Sequence, residues 1–131
     1  MTPIKILVVD DEENIRLLYK EELSESGYIV DTASDARDAS KMIQKFRPDL
    51  ITLDIKMPGM DGIEFLQRFR QKDKVTPVIL CTAYSNYKKE FKLFASEAYV
   101  VKSSNLDTLK KTIKEVLNGS ITDRNNQENS S

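Results

Sequence analysis

Three short runs in this chain are almost wholly apolar and rich in β-branched residues: Ile4 to Val9, Leu50 to Leu53 and Val78 to Cys81. Runs of that length and composition read as strands buried on both faces, the condition of central strands in a parallel sheet covered by helices. Tyr28 to Thr32 is less uniformly apolar and Tyr99 to Val101 is brief, so both suit the edges of the sheet. Between the strands the period changes to that of a helix. Ile15, Leu18, Tyr19 and Leu23 share one face before Gly27, and Ala36, Ala39, Ile43 and Phe46 share another before Pro48. Gly62, Phe65, Leu66 and Phe69 form a third stripe, and Leu106, Leu109, Ile113, Val116 and Leu117 a last one ending near Gly119. Strand then helix, five times over, gives an α/β fold: a doubly wound, five-stranded parallel sheet with helices on both faces.

Residues 84–97 fit this alternation least well. Phe91, Phe94 and Ala95 make a helical face, but Tyr84, Ser85, Asn86 and Tyr87 are poor helix formers, so a short, mobile fourth helix is expected. Packing of Tyr84, Tyr87, Phe91 and Phe94 onto the sheet is preferred to an exposed aromatic surface. From Ser120 the sequence turns polar, with Ile121 alone apolar, and too little burial is on offer to offset the entropy of ordering. The expected organisation is one domain over residues 1–119 and a disordered tail over 120–131, with no internal repeat and no linker to a second domain.

With 131 residues the chain can build a core without disulfides or a structural metal. Lys and Arg number 20 against 21 Asp and Glu, so charge points to no direct nucleic-acid contact and no anionic membrane surface; a protein partner is expected. Cys81, the one cysteine, excludes an internal disulfide and fits a reducing, cytoplasmic setting. No basic leader precedes the first strand and no apolar run is long enough for membrane insertion. Histidine is absent, so chemistry must rest on carboxylates, hydroxyls and lysine.

Asp10 with Asp11, Asp54, Thr82 and Lys102 each follow an apolar run. A parallel sheet brings such ends to one edge, where open α/β folds bind their ligands. Asp10, Asp11 and Asp54 supply oxygens suited to Mg²⁺, an ion that readily bridges a carboxylate to a phosphoryl oxygen, and Lys102 adds a second positive charge. Phosphoryl transfer needs these parts, and a carboxylate can itself be the nucleophile, forming an acyl phosphate. Each residue alone is bland: Asp after a strand is usually a turn former or cap, Asp11 could cap the first helix, Thr82 could end a strand and Lys102 could be solvated. Their joint placement is not bland.

The motifs Val8-Val9-Asp10-Asp11, Asp54 through Gly62 (Asp-Ile-Lys-Met-Pro-Gly-Met-Asp-Gly), Thr82-Ala83 and Tyr99-Val100-Val101-Lys102 resemble those of response-regulator receiver domains of two-component signalling, from Ile4 to about Leu117. The resemblance implies the flavodoxin-like strand order 2-1-3-4-5. It implies that Asp54 accepts a phosphoryl group from a sensor histidine kinase or a histidine phosphotransfer protein, with Mg²⁺ held by Asp10, Asp11, Asp54 and the backbone carbonyl of Lys56. Lys102 would pair with the phosphoryl group, Thr82 would hydrogen-bond to it, and Tyr99 would be the switch aromatic that moves inward with Thr82. A downstream target protein would read the switched surface. The chain would catalyse only its own aspartyl phosphorylation and dephosphorylation. With no effector domain in the sequence, a phosphorelay intermediate or a docking regulator is expected, unless the chain is a fragment of a larger regulator.

Pro58 and Gly59 favour a tight turn, Asp61 is suited to cap the helix beginning near Gly62, and Met57 and Met60 should pack under the loop. The chain departs from the family pattern where Ser103 takes the place of a proline after Lys102, and where Glu97-Ala98 stands for a glycine-alanine pair. The interval from Thr82 to Tyr99 is also short, so the family's common dimer is not carried over. Lys56 and Tyr84 flank the path of water to the acyl phosphate in the family, and their bulk should slow its hydrolysis. Cys81, alternating with Thr82, should face a packed layer as a small hydrophobe.

Three rivals remain. One is a receiver-like interaction module that is not phosphorylated; the full set of five residues argues against it. An aspartate-nucleophile phosphatase would want Asp where Glu12 stands, and a flavin protein would want a phosphate-binding loop where Asp10, Asp11, Glu12 and Glu13 would repel phosphate.

Overall fold

The computed structural model describes residues 2–83, 96–103 and 105–130, with side chains as far as residue 119. In chain order the elements are β1 Lys5–Val9, α1 Glu13–Glu25, β2 Ile29–Ala33, α2 Ala36–Phe46, β3 Leu50–Leu53, α3 Gly62–Lys72, β4 Val78–Thr82, β5 Ala98–Val101 and α4 Asp107–Ser130. The strands form one parallel sheet in the order β2-β1-β3-β4-β5. The expected fold class and order are therefore those observed. The expected fourth helix, with Tyr84, Tyr87, Phe91 and Phe94, lies outside the described residues.

The period-2 alternation of the strands sorts the core into two layers. Leu7, Val9, Ile51, Leu53 and Leu80 face one way and pack with Ala36 and Ala39 of α2 and Phe65 and Leu66 of α3. Ile6, Val8, Leu50, Ile79 and Cys81 face the other way and pack with Tyr19 and Leu23 of α1 and Leu109 and Ile113 of α4. Cys81 thus lies in a packed layer as expected, and burial pushes its thiol up to about 12, against the pull of Lys102. It remains a neutral hydrophobe at ordinary pH.

Helix ends follow local chemistry. Asp35 and Asp61 cap α2 and α3, accepting from the N–H of Asp38 at 2.7 Å and Glu64 at 2.8 Å. Gly27 takes φ +98° after α1, the left-handed stop a glycine makes easily. α4 departs from expectation. Its helix does not end at Gly119 but runs to Ser130, through residues expected to be a disordered tail. No proline interrupts 107–130, and an interior glycine costs a helix only about 1 kcal/mol; once the first turns are nucleated on buried Leu109 and Ile113, propagation continues.

Glu97, where the family pattern has glycine, is used structurally. Its carboxylate accepts the Val78 N–H at 2.6 Å and pairs with Arg70 at 3.0 Å, while Arg70 also donates to the carbonyls of Asp73 and Thr76. The start of β5 is thereby tied to the turn between α3 and β4. The peptide between Lys102 and Ser103 is trans, since the described residues contain no cis bond. Among the described residues no helix is long and apolar enough to cross a membrane.

Arg47 closes α2 with φ 52°, a left-handed conformation that costs a residue with a Cβ about 1 kcal/mol. Arg47→Gly is therefore expected to raise stability by about 0.5–1 kcal/mol, read as a higher urea midpoint at unchanged slope; a lower midpoint would show that the arginine side chain contributes more than the strain.

Candidate functional site

The backbone ladder reaches one residue past each strand and fixes the site. Asp10 N–H donates to the Ala33 carbonyl at 3.0 Å, Asp54 N–H to Val9 at 3.0 Å, and Lys102 N–H to Thr82 at 2.7 Å. Adjacent strands in register, with Val9 opposite Leu53 and Thr82 opposite Val101, place these residues side by side at the carboxyl edge. Asp10, Asp54 and Thr82 are buried. The Lys102 ammonium lies 2.6 Å from Asp10 Oδ2 and 3.2 Å from Asp54 Oδ2, bridging two carboxylates.

The remaining contacts orient those carboxylates. Asp10 Oδ1 accepts the Glu12 N–H at 2.9 Å, and Asp54 Oδ1 accepts the Lys56 N–H at 3.3 Å. Arg16, one turn into α1, donates to the Asp10 carbonyl at 2.8 Å. Gly62 opens α3 against the site: its N–H donates to Ile55 at 2.7 Å, and a Cβ there would fall on the Asp54 carbonyl oxygen. The β3–α3 loop therefore requires glycine at this position. Met57 is buried in the core and Met60 packs against it, as the sequence suggests.

Of the predicted residues, the structure brings Asp10, Asp54 and Lys102 into direct contact, with Thr82 bonded to Lys102 through the backbone. Asp11 is exposed beside Asp10. Tyr99 is half-buried on the α2/α3 side of the sheet, in register with Leu80. The Lys56 side chain is exposed, and Tyr84 lies outside the described residues. Sequence reasoning missed Glu12 as a member of the acidic group, although the run of consecutive acids signalled it. Carboxylate oxygens of Asp10, Asp11 and Glu12 lie within 4.8 Å of one another. It also missed Arg16, whose only signal is a cation one turn beyond those acids, and the close approach of Gly62.

Electrostatics follow from burial and charge count. Burial pushes the Asp54 carboxyl up to about 6; Lys102 pulls it back down, the charge of Asp10 repels it upward, and the bonds from Lys102 and the Lys56 N–H lower it. Burial acts to lower Lys102, but its bonds and charge interactions with Asp10 and Asp54 overcome this and hold it above its ordinary value. One ammonium thus bridges the carboxylates of Asp10 and Asp54, while those of Asp11 and Glu12 cluster with Asp10. The donors are all oxygen and their excess charge is negative, a set that fits a hard divalent cation.

An open α/β domain of 2-1-3-4-5 order, with a lysine-bridged acidic edge at its carboxyl ends, is the class of protein that fold and site define. A family model described as response regulator receiver domain matches residues 6–114, and the chain belongs to that family. It is 37% identical over 115 residues to sporulation initiation phosphotransferase F of Bacillus subtilis, covering 86% of this chain and 93% of that protein. Response regulator TrrA of Thermotoga maritima, solved in complex with Mg²⁺-BeF, is similar at 48% identity and a TM-score of 0.81, over 86% of this chain and 98% of that one. TrrA in a complex with the histidine kinase ThkA matches at 48% identity and a TM-score of 0.79, over 87% and 98% of the two chains. The chain spans only 33% and 32% of two longer transcriptional regulatory proteins it also resembles. Receiver domains are signalling modules, and this chain is a receiver of two-component signalling.

Because the Asp54 carboxyl rises from its ordinary 3.8 to about 6, its ionised form is the costly one in the folded, metal-free protein. That cost is fully present above pH 6 and is relieved as the proton is taken up between about pH 6 and 4. The shift corresponds to about 3 kcal/mol at most, and solvent screening at the sheet edge leaves about 1–2 kcal/mol. In chelator, Asp54→Asn should be more stable than the native chain by that amount near neutral pH, with the gap closing as pH falls toward 4. Denaturant melts across this range check it; a gap that widens on acidification would overturn the assignment.

Proposed function

We propose that Asp54 is the phosphoacceptor, taking a phosphoryl group from the phosphohistidine of a sensor histidine kinase or a histidine phosphotransfer protein. The observation that carries this reading is the buried Asp54 carboxylate at the end of β3, 3.2 Å from the Lys102 ammonium. An Asp54 oxygen attacks phosphorus in line, the phosphorus–nitrogen bond of the donor breaks, and the imidazole leaves as the acyl phosphate forms. Lys102 then pairs with the phosphoryl oxygens and the Thr82 hydroxyl hydrogen-bonds to one of them. Asp10, Asp11, Asp54 and the Lys56 carbonyl would hold Mg²⁺, with Glu12 beside them; the ion supplies neutralisation of the phosphoryl charge. Thr82 drawn toward the phosphoryl group lets Tyr99 move inward, and a downstream target protein reads the altered surface. The chain turns over no other substrate, acts in the cytoplasm, and makes no direct nucleic-acid contact. The phosphorylatable unit is residues 1–119, and 120–131 takes no part in its chemistry.

Intact mass after incubation with acetyl phosphate and Mg²⁺ tests this. The native chain and a chain ending at Gly119 should each gain one phosphoryl group, while Asp54→Ala and chelated samples gain none. If the native chain gains nothing and beryllofluoride also fails to bind, the non-phosphorylated interaction module becomes the reading.

A second element of the proposal rests on sequence position alone, that Lys56 and Tyr84 screen the acyl phosphate from in-line water and lengthen its lifetime; the Lys56 side chain is exposed, as a merely solvated lysine would also be. Replacing both with alanine should raise the dephosphorylation rate by about tenfold, equivalent to about 1.4 kcal/mol in the barrier. An unchanged decay of the phosphorylated mass would remove the idea.

A further inference from the structure

We infer that the cavity at the carboxyl end of β5, between α1 and the start of α4, binds a small uncharged molecule through a carbonyl-type acceptor. The cavity encloses about 300 Å³, at the lower end of the range of small-molecule pockets. Its floor is apolar and buried, formed by Val100, Leu106 and Leu109 with the ring of Tyr19. Tyr19 is only 2% exposed, yet no described residue hydrogen-bonds to its hydroxyl. No fully enclosed polar side-chain atom among the described residues lacks a partner, so this hydroxyl opens into the cavity. A buried phenol is ordinarily hydrogen-bonded, and here the partner has to come from whatever occupies the cavity.

The rim has the same polarity as that hydroxyl. Ser103 Oγ accepts the Asn105 N–H at 3.2 Å and Asn105 Oδ1 accepts the Asp107 N–H at 2.8 Å, so these exposed side chains chiefly offer the cavity the Ser103 O–H and the Asn105 NH2. Ser103 stands where the family pattern has proline, which would bring no hydroxyl. Donors around an apolar floor match a ligand that accepts. Charge narrows the choice further: no side chain ionised at neutral pH lines the cavity, so a charged ligand would be desolvated there without a counter-charge. Burial first, then Cys81, Asp10 and Asp54, raises the Tyr19 hydroxyl above its ordinary value and keeps it a neutral donor. The charges of Asp10 and Asp54 also oppose an anion at that hydroxyl, and an ammonium would meet donors only. An amide or ketone carbonyl on an apolar ring satisfies every one of these conditions. The inference concerns a cavity beside the acidic edge and does not depend on Asp54 being phosphorylated.

The test titrates the isotope-labelled full chain, without phosphoryl donor, with probes built on one ring. N,N-dimethylbenzamide carries a neutral acceptor and no donor, benzoate a negative acceptor, and N,N-dimethylbenzylamine, protonated at neutral pH, a positive donor. The expected result is amide shifts clustered at 19, 100–103 and 105–109, saturating with the benzamide at about millimolar concentration, and binding at least about tenfold weaker for the other two probes. Tyr19→Phe, with folding verified by the variant's own spectrum, should weaken the benzamide by about fivefold to tenfold, the loss of one buried hydrogen bond. Should that variant not fold, the comparison of the probes on the native chain still decides. No saturable shifts from the benzamide up to about 10 mM, shifts mapping elsewhere, benzoate or the amine bound as tightly as the benzamide, or an unchanged affinity in folded Tyr19→Phe would each overturn the proposal.

Discussion

The ammonium of Lys102, held between Asp10 and Asp54, is the interaction on which the carboxyl edge of this sheet depends. Two carboxylates a few ångströms apart at a half-buried edge repel by about 4 kcal/mol at an effective dielectric of 20, and both side chains here are buried. Lys102 makes their proximity tolerable, and the backbone places Lys102. Its N–H bonds to Thr82, the last residue of β4, just as Asp10 and Asp54 are held by Ala33 and Val9. Each charge hangs on a ladder bond one residue past its strand. A displacement of β5 against β4 is therefore a change in the charge balance at Asp54, which gives the fold a direct route from the site to an edge of the sheet.

That balance of charge is incomplete. Lys102 bridges Asp10 and Asp54 while Asp11 and Glu12 cluster beside Asp10, and burial first, then the charge of Asp10, raises the carboxyl of Asp54. Arg16 adds order by binding the Asp10 backbone carbonyl, which leaves the carboxylate itself to Lys102 and the Glu12 N–H. The carboxylate oxygens of Asp10 are thereby held in fixed positions at the edge.

Legibility in the sequence tracked how local each cause was. β3 was read at its observed bounds because Leu50–Leu53 is an apolar run closed on both sides by aspartate. The start of α3 was legible in Asp61, which caps it, and the end of α1 in Gly27. The convergence of Asp10, Asp54, Thr82 and Lys102 was legible because a parallel sheet leaves strand ends no other place to go. What was not legible depended on distance in three dimensions: Arg16 reaching the Asp10 carbonyl, Glu97 pairing with Arg70, and Gly62 lying against Asp54. Nor could strand order say which carboxylate Lys102 would approach more closely; in the structure it is Asp10. The helical bounds of α4 beyond Gly119 are not legible in composition, which reports burial, whereas helix propagation requires only that nothing stop it.

The β3–α3 loop runs from the acidic edge to the α2/α3 groove. At its start the Lys56 N–H holds Asp54; Met57 anchors it in the core; at its end Gly62 is locked to Ile55 and pressed against the Asp54 carbonyl. Between these anchors Pro58 and Gly59 are exposed, Gly59 at φ +80°, and with Met60 they form one end of the α2/α3 groove. A segment fixed at both ends and open in the middle cannot absorb a change at Asp54 silently, since its close-packed ends transmit displacement instead of dissipating it. Any ligand that contacts Met60 differently in two states of Asp54 must, by reciprocity, shift the affinity of the site for its own ligand by the same factor. The glycine that makes room for the Asp54 backbone thus also fixes the end of the loop that begins at Lys56.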